Sequence, residues 1–219
     1  MKHFIDNSIP ADIIEFWFGC NDIKDLEKND LEKDMENNGL LWFNINGNEE
    51  NNKKKRNNFN VIIKNKFEHL IEKIYKDRDL NLNWNNDNIN TVLAKIIILD
   101  QFSRNIYKDS QAYKYDKKAI EISKSFFKNL QEQEIINIPD SAFIFLTMPL
   151  IHSEDINLHE FHKKLSSLKK NIPYSLPEEH TVVIKKFGRY PHRNEVLKRK
   201  NTPEEDEYLN KNIKHSWEN

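Results

Sequence analysis

Between Thr91 and Ile106 the chain is apolar on almost every side, with Val92, Leu93, Ile96, Ile97, Ile98, Leu99, Phe102 and Ile106. The β-branched run alone is compatible with a strand, but its length and the lack of turn residues favour a helix. A helix with no polar face has to lie at the centre of a fold, wrapped by other elements. Yet this one carries Asp100 and Arg104, at i and i+4 on one face. At a surface such a pair contributes about 0.3–0.5 kcal/mol. Buried, it is costly to desolvate unless other segments supply further polar partners. The pair therefore reads either as a structural tie or as part of a polar site.

The rest of the chain reads as helices. Only 4 Gly and 7 Pro among 219 residues argue against a turn-rich β protein. The expected architecture is all-α, about eight or nine helices with no sheet, in a single domain over 1–219. A first helix opens at Ser8 or Ile9, tolerates Pro10 and stops at Gly19. Phe59 to Ile74 has apolar residues at helical spacing. Another helix runs from Asp109 or Ser110 to about Lys128, and one from Asp140 or Ser141 is kinked or ended by Pro149. The next carries His152 to about Leu168. A helix from Glu178 ends at Gly188, with a capping box in Ser175 and Glu178 before it. Thr202-Pro203-Glu204-Glu205 is a helix start with Thr as cap and Glu at N3. Trp84 is expected to anchor its Asn-rich loop. Residues 21–38, almost all charged or Asn, predict a weak helix or a flexible excursion. Residues 44–57 are low complexity and predict a disordered loop.

The 34 basic and 35 acidic residues nearly cancel. No nucleic-acid partner and no membrane attraction is therefore expected, and the Lys53 to Arg56 run reads as solvated. The lone Cys20 excludes an internal disulfide framework, suits a reducing compartment and reads as a packed small residue. No stretch approaches the roughly 20 apolar residues of a membrane span. A soluble, cytoplasmic protein is the expectation. Walker-type and dinucleotide glycine motifs are absent, and no cofactor is expected.

Two other segments concentrate polar chemistry. Lys186 to Asn194 places Arg189, His192, Arg193 and Asn194 in a turn set by Gly188 and Pro191. Gly188 is expected at φ > 0, and the guanidinium forks suit carboxylate or phosphate. Met148 to Asp155 places His152 and Asp155 at i and i+3 just past Pro149, with Glu154 beside them and His159 and His162 continuing the stripe. That spacing lacks the strictness of HExxH, and no metal is expected. Ser153 beside His152 is no nucleophile: neighbours on a helix diverge by about 100° and there is no nucleophile elbow.

At these residues the chain resembles the domain of unknown function 924 family, a member of the TPR-like all-helical superfamily. The resemblance rests on Glu15-Phe16-Trp17-Phe18-Gly19, Trp42-Phe43, Leu99-Asp100-Gln101-Phe102 with Arg104-Asn105, Met148-Pro149-Leu150 with His152-Ser153-Glu154-Asp155, Phe187 to Asn194, and Thr202-Pro203-Glu204-Glu205. The family pattern has Pro where Ser103 stands, Asp near Asn60, Gln near His159 and Gly at Lys198. The His159 departure counts further against a histidine metal site, and Lys198 suggests a helix continuing where relatives turn. The resemblance implies antiparallel helix pairs and no established activity.

Three functional readings follow. In the first, an internal polar pocket binds a small anionic ligand or an acidic peptide group. Arg104, Arg189 and Arg193 supply charge, His152, His192 and Asn194 supply hydrogen bonds, and Asp100, Glu154 and Asp155 orient them. In the second, His152 or His192, with Asp155 or Glu154, performs acid–base hydrolysis. In the third, the cluster is a lock inside a TPR-like interaction module.

Overall fold

In the computed structural model, residues 9–26, 31–43, 49–77, 84, 88–170, 172 and 175–211 are described, and no strand occurs among them. Pro10 opens α1 (Pro10–Phe18), where its missing N–H leaves no vacancy. The Asp12 carboxylate reaches back to accept from the Ile9 N–H at 2.8 Å. Gly19, at φ 77°, stops the helix with its N–H on Glu15 O at 2.8 Å. Trp17 and Phe18 from α1 meet Phe102, Phe145 and Trp42 edge to face. Trp42 Nε1 donates to Trp17 O at 2.9 Å, which ties α2 (Leu31–Phe43) to α1.

The low-complexity stretch differs from expectation. Helix α3 runs over Glu49–Tyr75, so residues 49–57 are its opening turns rather than a loop; residues 44–48 lie outside the described residues. Glu, Lys and Arg are good helix formers, and Asn52 is already buried against the body. Of residues 21–38, Ile23–Asp25 form a 3₁₀ turn and the part from Leu31 is helix, while 27–30 lie outside the described residues. Trp84 is buried, as expected of an anchor.

The apolar run forms the central rod: α4 (Ile89–Ile96), a π-helical stretch (Ile97–Phe102) and α5 (Ser103–Ile106). Ile96, Ile97, Ile98, Leu99 and Phe102 are fully buried. The π stretch, with one extra residue per turn, has no signature in apolar spacing. Ser103 Oγ, at the start of α5, donates back to Leu99 O of that stretch at 2.6 Å.

Beyond it, Asp109 caps a 3₁₀ turn (Ser110–Tyr113) that precedes α6 (Asp116–Lys128), and α7 (Glu132–Asn137) follows. Helix α8 (Asp140–Ile151) continues two residues past Pro149 and ends at His152, its C-cap. The chain bends there, and Asp155 caps α9 (Ile156–Ser166), accepting from Asn157 N at 2.9 Å. His152 and Asp155 thus do not share a helix, and no common stripe joins His152 to His159 and His162. Helix α10 (Ser175–Phe187) begins three residues before Glu178, and Gly188 stops it at φ 70°. Helix α11 (Pro203–Asn210) has the expected capping box: Glu205 N donates to Thr202 Oγ1 at 3.2 Å, and Thr202 N to Glu205 Oε2 at 2.7 Å.

At Lys198 the expected continuing helix is absent. The residue sits at φ 55°, and the chain turns there as a glycine would allow. A side chain in this left-handed region costs about 1–2 kcal/mol, and glycine's extra unfolded-state freedom cancels part of any gain. Lys198→Gly is therefore expected to stabilise the fold by up to about 1 kcal/mol, read as a higher urea midpoint at unchanged slope. Among the described residues, no helix is long and apolar enough to cross a membrane.

Candidate functional site

The π stretch and α5 present Asp100 and Arg104 to the end of α8. Asp100 is wholly buried. Its carboxylate accepts from His152 Nδ1 at 2.8 and 3.0 Å, Arg104 Nη2 at 3.2 Å and Gln101 Nε2 at 2.5 Å. Burial alone would raise Asp100, but the Arg104 charge and the hydrogen bonds from His152 and Gln101 hold it well below the carboxylate range. An ionised Asp100 can only accept, so His152 carries its proton on Nδ1 and keeps a lone pair on Nε2. Burial pushes the His152 pKa down, against the pull of Asp100.

Arg104 also reaches Asp116 Oδ1 at 3.0 Å and donates from Nη1 to Ala112 O at 2.9 Å. Burial works against its charge, but Asp116 and Asp100 outweigh it and raise its pKa. Arg193 comes from the opposite side, on the 3₁₀ turn Pro191–Arg193. Its guanidinium lies between the rings of Tyr190 and Tyr113, with centroids at 4.4 and 4.7 Å. Its ion pair with Asp116 is long, 3.6 Å from Nη1 to Oδ2, and its buried Nε finds no acceptor among the described residues.

These groups wall a cavity of about 250 Å³, lined by Arg104, Arg193, His152, His192, Tyr113 and the buried His180 of α10, among others. The imidazoles and Tyr190 lie ring to ring: His152 to His180 at 5.9 Å, His180 to Tyr190 at 6.0 Å, Tyr190 to His192 at 5.5 Å. Burial first, then the charges of Arg193 and Arg104, push the His192 pKa down to about 3. The imidazoles of His152 and His192 are therefore neutral at pH 7, able to donate from one nitrogen and accept at the other. Arg104 and Arg193 are matched in number by Asp100 and Asp116. Any pull on an anion comes from donors that those carboxylates leave unsatisfied, not from excess charge.

The structure thus unites Asp100, Arg104, His152, His192 and Arg193. The other sequence candidates lie elsewhere. Arg189 forms a forked pair with Glu205, Nε to Oε1 at 2.6 Å and Nη2 to Oε2 at 2.7 Å, anchoring α11. Glu154 is gripped by Arg199 at 2.6 and 2.9 Å and accepts from Tyr190 N at 2.9 Å. Asp155 caps α9, and Asn194 holds Asn201 at 2.8 Å. His180, Tyr113 and Asp116 were not legible as site residues. A signal for His180 did exist: His180, Val183, Ile184 and Phe187 follow helical spacing, which places the histidine on the inward face of α10.

A family model described as a bacterial protein of unknown function (DUF924) matches residues 13–212. No curated protein matches the chain. Among solved structures, the protein of unknown function ATU0120 from Agrobacterium tumefaciens aligns with a TM-score of 0.67 at 23% identity, covering 92% of this chain and 97% of that one. A likeness at this identity bears on the fold alone.

Proposed function

The chain belongs to the DUF924 family, and from its cavity we propose that it binds a small anion, phosphate or carboxylate, between Arg193 and Arg104. The carrying observation is Arg193, a buried guanidinium at the cavity wall with a long ion pair and an unmatched Nε–H. Buried donors without acceptors are costly, and an anion supplies the acceptors. Neutral His152 and His192 add hydrogen bonds without competing for charge. Titration with inorganic phosphate tests this calorimetrically. Arg193→Lys, which loses the planar fork, is expected to weaken the dissociation constant by about tenfold or more, roughly 1.4 kcal/mol. Arg189→Lys is expected to leave it unchanged, because that guanidinium is held by Glu205 outside the cavity. Equal binding by both variants, or none by the wild type, contradicts the reading.

A hydrolytic reading is favoured by the Asp100–His152 pair, which fixes the tautomer and leaves His152 Nε2 as a base beside the two guanidiniums. Water activated there would attack an ester of the bound anion. His152→Asn would then abolish turnover while phosphate still binds. The interaction-module reading draws no comparable support. The exposed large hydrophobics among the described residues, Val61, Ile62, Ile136 and Val182, are scattered over α3, α7 and α10.

A further inference from the structure

A second cavity system lies away from this pocket, under α9 and α10. An apolar chamber of about 90 Å³ is walled by Met35, Phe43, Phe143, Ile144, Met148 and Ile151. Allowing 10–15 Å³ for each water-sized occupant, it has room for roughly six to nine heavy atoms. A larger, polar space of about 230 Å³ opens beside it, carrying Ser166, Thr181, Lys163 and Lys185. The two share His162, Ile172 and Pro177 as a common wall.

His162 is the informative residue. It is 5% exposed, and its only hydrogen-bonding neighbour among the described residues is Ser166 Oγ, at 3.4 Å from both ring nitrogens. A single hydroxyl at that distance satisfies at most one of them, weakly. A buried imidazole thus stands under-satisfied where an apolar chamber meets a polar mouth. Burial also drives its pKa down to about 4, so at pH 7 it is a neutral donor. In the mouth, Lys185 has a loose partner, Glu160 at 3.7 Å, and both are more than half exposed.

We propose that these two spaces form one site for a medium-chain carboxylate, its alkyl tail in the chamber and its head group at His162, Ser166 and Lys185. The carboxylate accepts from the imidazole N–H and the serine hydroxyl and displaces the loose Glu160 contact. The tail covers the apolar walls of the chamber. This site is independent of the Arg193 pocket.

The test is calorimetric titration of the full chain with butyrate, hexanoate, octanoate and octan-1-ol. Affinity is expected to rise about three- to fourfold per added methylene until the chamber is full. Octanoate is expected to bind more tightly than octanol, and His162→Phe to erase that preference. Ile144→Trp fills the chamber from a partly buried position and is expected to abolish octanoate binding. If that variant fails to fold, Met148→Phe serves the same purpose. Phosphate binding at the Arg193 pocket is the control and should persist in each folded variant. The proposal is overturned if octanoate does not bind, if affinity ignores chain length, if octanol matches octanoate, or if a folded chamber-filling variant still binds.

Discussion

Asp100→Ala is expected to lose about 3–5 kcal/mol of folding stability in urea denaturation. The carboxylate is wholly buried and holds Arg104, the His152 N–H and Gln101 at once. Truncation leaves the half-buried Arg104 guanidinium with Asp116 as its remaining carboxylate and strips His152 of the partner that sets its tautomer. Asp100→Asn keeps the shape and one acceptor oxygen but not the charge, so it should recover only part of the loss. A loss below about 1 kcal/mol for Asp100→Ala would mean that the polar cluster contributes little to the centre of the fold. The loss is expected with or without a ligand, because it arises from burial of the cluster.

The second large effect is on pH dependence. Burial lowers His192 to about 3 and His162 to about 4 in the folded chain, and lowers His152 and His159 as well. The unfolded chain takes up these protons near pH 6.5, so below that pH it binds more protons than the folded one. The stability tied to neutral imidazoles is thus fully present above about pH 6.5 and is lost as pH falls toward the folded values. Each of His192 and His162 is expected to cost about 2–3 kcal/mol between pH 7 and pH 4.5, to order of magnitude. Carboxylates held low by partners, Glu72 and Glu205 at about 2, lose their share only below the usual carboxylate range. Urea midpoints from pH 7 to 4.5 measure this. His162→Asn with His192→Asn should flatten the slope above pH 4.5. A flat wild-type profile there would mean that the imidazoles charge freely in the folded state.

The chemistry of the site was legible where a residue conflicted with its surroundings. Asp100 and Arg104 stand in an otherwise apolar rod, and a buried ion pair demands partners, so polar segments had to converge on it. His152 and Arg193 are where that convergence occurs. Sequence could not distinguish residues within a segment. Arg189 and Arg193 are four apart in one turn, yet Gly188 and Pro191 route the first toward α11 and the second into the cavity. Glu154 and Asp155 border the bend after α8 and hold the chain there instead of facing a ligand. Asp116, in the first turn of α6, reads as an ordinary helix-dipole partner, and nothing local says that it bridges two arginines. The helical start of α3 was obscured because its Asn-rich composition resembles a disordered tract. Its Lys, Glu and Arg residues nonetheless favour helix once Ile63 and Phe67 are packed further along.

The Arg193 Nε–H is the most direct reporter of anion binding in the central cavity, because its buried nitrogen has no acceptor among the described residues. Its resonance can be followed in ¹⁵N-labelled protein during titration with inorganic phosphate and assigned by its absence in Arg193→Lys. Binding between Arg193 and Arg104 is expected to shift this signal saturably while that of Arg189 stays in place. An Arg193 signal that does not move at saturating phosphate would contradict an anion site here and leave the cluster as a tie between helices.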